Sequence, residues 1–337
     1  STTGIRPTKE ALTMVSDGKS DDEIRDFYRG KYFASDEKIN ESIEIAKAEH
    51  AILSQFPQTT DQNPRYSLQT DGYSLYIGIL FCPSICLYCS FSSHRIDSCR
   101  DMVEPYIASL KKEIDFVAER FRNRRLDCIY FGGGTPTTLD AAQLDDIFSY
   151  IEKKLDLSHL AEYTVEAGRP DSITADRLSV MKAHGITRIS VNPQTMNQKT
   201  LDLIGRRHTV EDTVRAYELA RKYDFSCVNM DMILGLPGEG VEDIEHTLRE
   251  MKRLDPDNLT VHSLALKTAA RLRLEWDKYE NLDFVNSTAI MDEALQTGRD
   301  MDMHPYYLYR QKNMAGNLEN VGMSKPGRDG IYNVLIV

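Results

Sequence analysis

Three cysteines crowd one stretch of the chain, Phe81-Cys82-Pro83-Ser84-Ile85-Cys86-Leu87-Tyr88-Cys89-Ser90-Phe91, at C-x3-C-x2-C spacing. Thiolates this close can face one side of a tight loop, and Cys thiolates are what hold iron–sulfur clusters. A 4Fe–4S cubane held by three thiolates keeps one iron open, and an open metal position is where chemistry occurs, in contrast to a closed structural site. The competing readings are a zinc site and three unrelated thiols. A structural zinc site generally takes four ligands in two spaced pairs, and no second C-x2-C pair occurs here.

Further polar residues fall where strand-like runs end. Phe131-Gly132-Gly133-Gly134-Thr135-Pro136-Thr137 offers backbone groups that a ligand can approach with no Cβ in the way; taken alone, the same run is a tight strand-to-helix turn. Glu166 closes Val165-Glu166-Ala167-Gly168, and Gln194 closes Ser190-Val191-Asn192-Pro193-Gln194. Arg206 lies on a short helix-like segment, 201–208, and Asp231 lies inside Asn229-Met230-Asp231-Met232-Ile233-Leu234-Gly235-Leu236-Pro237-Gly238. A buried Asp in so apolar a run must pair or bind something. Its alternative is a core Asp bonded to backbone or to a neighbouring Arg.

The elements that position these groups alternate from Tyr73 onward. Strands are expected at 73–80, 127–131, 162–167, 187–192, 226–234 and 258–266. Helices are expected near 101–122, 139–155, 174–184, 210–223 and 241–253. The helical face is clearest in Val103, Tyr106, Ile107, Leu110, Ile114, Val117 and Phe121, at the 3.6-residue period. Short, largely apolar strands joined by helical crossovers give a parallel sheet with helices outside. This is an α/β chain, a partial (β/α)6 TIM-like barrel, with a doubly wound sheet as the competing architecture. Barrel function collects at the C-terminal strand ends, which is where the residues above fall.

Before the barrel, residues 1–66 read as a helical lead-in and linker. A short helix begins near Thr8–Met14, the capping box Ser20-Asp21-Asp22-Glu23 opens a second, and 35–53 supplies a third. His50 on that third helix has no partner His or Cys nearby and reads as a packed residue. The polar run 55–69, with Pro57 and Pro64, reads as a linker. The barrel core spans 67–270 and a C-terminal extension 271–337. The extension ends in an apolar run, 331–337, that reads as a strand. A domain rarely stops in mid-strand and position 1 is not Met, so the sequence is expected to be part of a longer chain.

A length of 337 residues with 41% hydrophobic and 28% charged residues is ample for a large core. The formal net charge of −11 argues against a nucleic-acid or anionic-membrane partner. No apolar run is long enough for a membrane helix, and no signal peptide is visible. Cys99, Cys128 and Cys227 lack ligand spacing; the last two sit in apolar runs as small hydrophobes. Reduced cysteines in a cytoplasmic compartment are expected.

The cysteine spacing resembles that of the radical S-adenosylmethionine (SAM) superfamily. The order C-x3-C-x2-C, Gly-Gly-Gly-Thr-Pro-Thr, Glu, Gln, Gly-Arg and Asp-x-Ile-x-Gly-Leu-Pro-Gly resembles its oxygen-independent coproporphyrinogen III oxidase family over residues 73–266. The tail 306–327 and Gly4-Ile5-Arg6-Pro7-Thr8-Lys9 resemble a coproporphyrinogen dehydrogenase branch. The resemblance implies that Cys82, Cys86 and Cys89 bind a 4Fe–4S cluster whose open iron chelates SAM. Reductive cleavage of SAM then gives a hydrogen-abstracting 5′-deoxyadenosyl radical. It further implies that Tyr76 contacts SAM, that Tyr88 lies beside the adenine, and that Gly132, Gly133, Gly134 and Thr135 receive the amino group. Glu166, Gln194 and Asp231 would take the polar parts of SAM, chiefly its ribose. Arg206 would pair with the carboxylate, and Ile233 and Leu264 would line the adenine pocket.

Two departures stand out. The family's Tyr-x-His-Ile-Pro-Phe-Cys is Tyr76-Ile77-Gly78-Ile79-Leu80-Phe81-Cys82, and the oxidases' extra Cys two residues beyond the third ligand is Phe91. The implied function is oxidative decarboxylation of two propionates of coproporphyrinogen III to vinyls, with reduced flavodoxin or ferredoxin as electron donor. The alternatives are a heme chaperone on the same fold and a radical SAM methyltransferase using a second SAM. In the tail, Tyr306, Tyr307 and Tyr309 are either core aromatics or cleft residues. Arg310, Lys312, Lys325 and Arg328 are either surface charges or propionate ligands.

Overall fold

The computed structural model describes residues 6–58, 70–311, 314, 316 and 318–336. Gly4, Ile5, most of the expected linker, Lys312 and Val337 lie outside the described residues. Three helices come first: α1 (Lys9–Ser16), α2 (Asp21–Tyr32) and α3 (Asp36–Leu53). The capping box is present, with Ser20 Oγ accepting from the Glu23 amide and Glu23 from the Ser20 amide. These helices bury Ala11, Ile24, Tyr28, Ile39 and Ala46 in a second core shared with Tyr306, Tyr307 and Val334.

The main sheet has eight strands: β1 (Tyr73–Ile79), β2 (Leu126–Gly133), β3 (Glu162–Glu166), β4 (Arg188–Ser190), β5 (Cys227–Leu234), β6 (Asn258–Ser263), β7 (His304–Tyr309) and β8 (Asn320–Ser324). Their order is β1-β2-β3-β4-β5-β6-β8-β7. The first six pair in parallel, as the alternating sequence pattern requires; β8 and β7 continue the sheet antiparallel.

The outer layer holds α4 (Val103–Arg120), α5 (Ala141–Lys154), α6 (Ala175–Ala183), α8 (Val210–Arg221) and α9 (Val241–Leu254), with the short α7 (Gln198–Leu203) between β4 and α8. Alternate strand residues face these helices. Ile129, Phe131, Val165, Ile189, Met230 and Val261 are buried with Ile107, Ile147, Phe148, Leu178 and Leu248. Each such side chain contributes about 1.5–3 kcal/mol by leaving water. Among the described residues no helix is long and apolar enough to cross a membrane.

Two expectations are corrected. The run read as a final strand is a helix, α10 (Ile331–Ile336). The Glu162 carboxylate accepts the amides of Ile331 and Tyr332 at 2.8 and 3.2 Å, so the first turn's donors are met by a distant side chain and local β propensity is overridden. Arg206 lies beyond the helical segment expected to carry it. α7 ends at Leu203, and Gly205, at φ 77°, turns the chain in a left-handed conformation.

Candidate functional site

The cysteine loop leaves the C-terminal end of β1. Phe81 and Cys82 pair in parallel with His94 and Arg95, which returns the chain beside its start. Leu87 pins the middle: its amide donates to Ile204 O (2.8 Å) and its carbonyl accepts from the Leu272 amide (2.9 Å). The Leu87 side chain is buried among Leu201, Ile204, Leu236 and Leu272. Ser84 Oγ donates to Gly205 O at 2.8 Å, and the Cys89 amide to Cys86 O at 3.1 Å. All six cysteines are free. Burial raises the thiols of Cys82 and Cys89, the latter to about 11.

The glycine turn after β2 packs directly on this loop. Gly134 and Thr135 donate their amides to Ile79 O (2.6 Å) and Phe81 O (2.8 Å), and Thr135 Oγ1 lies 3.5 Å from Cys82 Sγ. A Cβ at Gly134 would stand 2.6 Å from Phe81 O and 3.0 Å from Cys82 Sγ. Gly132 instead makes room in the barrel, since a Cβ there would meet the Tyr76 hydroxyl at 3.0 Å and Glu166 Cδ at 3.2 Å. A ligand's amino group is a donor and seeks acceptors, so the engagement of these amides does not compete with it.

Two guanidiniums stand behind the loop. Arg206 is buried and donates to the carbonyls of Asn192, Pro193 and Gly168, leaving Nε without a partner. Arg169, which the sequence reading passed over, is 3% exposed and reaches Ser84 and Cys86. Near both, His208 is buried with neither ring nitrogen hydrogen-bonded, its Nδ1 lying 3.9 Å from Asp171 Oδ1. Burial and the two guanidiniums drop its pKa to about 3.

The inner face of the sheet is polar, which the reading of apolar strands missed. Every second residue points inward: Glu162, Thr164 and Glu166 on β3; Arg188, Ser190, Asn192 and Gln194 along β4 and its continuation; Asn229 and Asp231 on β5; Thr260 and His262 on β6. Tyr130 stacks on Tyr332 (centroids 4.4 Å apart) and on Tyr76 (6.0 Å), and its hydroxyl donates to Glu166 Oε1 at 2.6 Å. Burial pushes the Glu166 carboxyl up to about 7, with Asp231 adding to the rise and Tyr130 opposing it. Asp231 goes the other way. Burial opposes its ionisation, but His262, Asn229 and Thr260 together hold its carboxyl below the usual range. Asn229 Nδ2 donates to it at 2.7 Å, and His262 Nε2 lies 3.6 Å away.

Gln194 adopts φ 71° without being glycine, a conformation that costs about 1–3 kcal/mol. Two main-chain bonds hold it, Gln194 N to Asp231 O and Ile233 N to Gln194 O. Tyr88, Ile233 and Leu264 share one apolar cluster. Tyr76 and Glu166 meet across Gly132.

The residues fit a cluster and SAM on two grounds. Buried Ser190 Oγ, Asn192 Oδ1 and Gln194 Oε1 have no partner, and each such group costs about 1–3 kcal/mol until a ligand's hydroxyl or amine satisfies it. Cys82, Cys86 and Cys89 are free thiols on one loop, the donor type that holds iron–sulfur clusters. A cubane takes each thiolate on a separate iron and needs no common point.

The tail is mostly structural. Tyr306 and Tyr307 are buried against the N-terminal helices. Lys325 pairs with Asp255 (2.7 Å) and Arg328 donates to Ser226 O, both at the opposite end of the strands from the cysteine loop.

Residues 76–251 match the family model of the radical SAM superfamily. The chain is 38% identical over 338 residues to the oxygen-independent coproporphyrinogen-III oxidase-like protein HemZ of Bacillus subtilis (strain 168), covering 99% of this chain and 66% of that protein. It is 35% identical over 195 residues to the heme chaperone HemW of the same organism, covering 58% of this chain and 51% of the other. Coproporphyrinogen III oxidase (HemN) from Escherichia coli shares the fold, with a TM-score of 0.65 at 24% identity over 84% of this chain and 59% of that one. The chain thus spans about half to two thirds of the length of the relatives it matches. It belongs to the radical SAM superfamily, whose members use a 4Fe–4S cluster and SAM, and within it to the group that includes the coproporphyrinogen oxidase-like proteins and the heme chaperones.

Proposed function

We propose that this chain is the barrel of a cytoplasmic radical SAM enzyme of porphyrin metabolism, converting two propionates of coproporphyrinogen III to vinyls to give protoporphyrinogen IX. The observation that carries the reading is the cysteine loop packed against a polar strand edge that holds unpartnered buried acceptors. Cys82, Cys86 and Cys89 hold the cluster, and the cluster with SAM supplies hydrogen-atom abstraction by one-electron chemistry. Glu166, Gln194 and Asp231 accept the ribose hydroxyls. Tyr76 borders that site across Gly132, and Gly132, Gly133, Gly134 and Thr135 form the edge that receives the amino group. Tyr88, Ile233 and Leu264 enclose the adenine. Arg206 Nε is the donor left over for the carboxylate, its other nitrogens being tied to main chain.

The propionate would give up a β-hydrogen atom to the SAM-derived radical, release carbon dioxide and pass one electron to an external one-electron acceptor, which leaves a vinyl group. Reduced flavodoxin or ferredoxin supplies the electron that starts each turnover. The polar barrel and its Tyr76–Tyr130–Tyr332 stack position the reacting carbon and exclude water.

A heme chaperone is the second reading, favoured by Phe91, 68% exposed where the oxidases carry a further Cys. Anaerobic incubation of the reconstituted protein with reductant, SAM and coproporphyrinogen III separates the two. A product lighter by two carbon dioxide units and four hydrogens is expected. Stoichiometric heme transfer with no change in porphyrinogen mass would establish the chaperone.

A further inference from the structure

All three side-chain nitrogens of Arg169 are engaged within the protein. Its Nε and Nη2 lie 3.0 Å from Asp171 Oδ1 and Oδ2, a bidentate pair. Its Nη1 points the other way, to Ser84 Oγ at 2.9 Å, Ser84 O at 3.4 Å and Cys86 Sγ at 3.8 Å. Burying a guanidinium costs several kcal/mol unless it is paired and hydrogen-bonded. Asp171 meets the charge and Ser84 meets one donor; the remaining direction is toward sulfur. Arg206 is also near Cys86, but its Nη1 and Nη2 are anchored to the carbonyls of Asn192, Pro193 and Gly168, which leaves only Nε unengaged.

We infer that Arg169 is a positioning residue for the middle cysteine of the loop, fixing Cys86 Sγ and setting the reduction potential of the metal group bound there. The inference rests on the cluster reading above. Hydrogen bonds to cluster sulfurs and nearby net charge are what tune such potentials, and outer-shell partners orient the ligands themselves. A reduced cluster carries one more negative charge than the oxidised one. A guanidinium beside its thiolate therefore favours the reduced state and raises the potential. Asp171 moderates that effect by placing a carboxylate on the guanidinium's far side. The Ser84 hydroxyl, fixed by donating to Gly205 O, holds Nη1 in line with the sulfur.

The two members of the pair should act in opposite directions. Arg169→Gln removes the positive charge, so the midpoint should fall. At a fixed potential the reduced-to-oxidised ratio should drop about tenfold, about 59 mV for a one-electron couple. Asp171→Asn leaves the guanidinium without its counter-charge, so the midpoint should rise. Arg169→Lys, which keeps the charge and loses the fork, should lie between wild type and Arg169→Gln.

The test is a potentiometric titration of the reconstituted full chain, read by electron paramagnetic resonance without SAM, after iron and sulfide are counted. Opposite shifts for Arg169→Gln and Asp171→Asn support the assignment, because general loosening of the loop would move both the same way. Wild-type potentials in both variants, or shifts of one sign, overturn it. If Arg169→Gln fails to fold, Arg169→Lys and Asp171→Asn still give the sign. A wild-type chain that takes up no iron overturns the cluster reading itself, and the iron count shows this before any potential is measured.

Discussion

Removing the Tyr130 hydroxyl while keeping its ring isolates one bond at the centre of the barrel. Tyr130→Phe preserves the stack with Tyr76 and Tyr332 and deletes the 2.6 Å bond to Glu166. A hydrogen bond to an ionised carboxylate contributes about 1.5–3 kcal/mol, and one to a neutral group about 0.5–1.5. The difference of about 1.4 kcal/mol favours ionised Glu166 and equals about one pKa unit. Burial and Asp231 already lift this carboxyl to about 7, so the variant should titrate about one unit higher.

The ionised carboxylate is the form that accepts ribose hydroxyls. Wild-type SAM affinity should therefore rise with pH through about 7 and level off above it. At pH 7 the ionised fraction falls from about one half to about one tenth in the variant, a roughly fivefold weaker affinity, while at pH 9 the two proteins should nearly converge. The sign for stability without SAM is the reverse. Glu166 holds its proton longer folded than at its ordinary value of 4.5, so its stabilising contribution is complete below that value and is lost as pH rises toward 7. Calorimetric titration of SAM from pH 6 to 9 is the assay. Affinity independent of pH, or a variant defect undiminished at pH 9, would refute the reasoning.

Three further outcomes follow from single contacts. Cys82→Ala, Cys86→Ala and Cys89→Ala should each lose the reconstituted iron, while Cys99→Ala, Cys128→Ala and Cys227→Ala keep it; full iron in Cys82→Ala would remove that residue from the ligand set. Gly134→Ala drives a methyl to within 2.6 Å of Phe81 O and should cost about 1–3 kcal/mol in urea denaturation, with an unchanged midpoint contradicting the close packing of turn on loop. Glu162→Gln leaves buried Arg188, 3.4 Å away, without its counter-charge and should cost about 3–5 kcal/mol. A wild-type urea midpoint for Glu162→Gln would show that α10 does not depend on this carboxylate.

What the sequence made legible was governed by local period. The six parallel strands and their crossover helices follow from apolar runs and helical faces, and Ser20 capped α2 where its capping box indicated. The inner face was harder to see because each of its residues, such as Asn192 or Thr260, looks ordinary by itself. The alternation Glu162-x-Thr164-x-Glu166 and Arg188-x-Ser190-x-Asn192-x-Gln194 was nonetheless a readable period-2 signal. Arg169 looked like part of a turn between Gly168 and Pro170, and its partners Ser84 and Cys86 are remote in sequence. The helix α10 reads locally as a strand because its stabilising carboxylate, Glu162, lies on β3. The Tyr76–Tyr130–Tyr332 stack joins three separate elements that no local pattern connects.

Three cysteines on one loop, set against the polar inner face of this sheet, should make a SAM-cleaving centre. Chromatographic detection of 5′-deoxyadenosine from the anaerobically reconstituted, dithionite-reduced protein tests it most directly, with Cys86→Ala as the control. The wild type should give 5′-deoxyadenosine and methionine in equal amounts, increased by coproporphyrinogen III, and the control none. No 5′-deoxyadenosine from a wild-type protein with a verified, reduced cluster would contradict it.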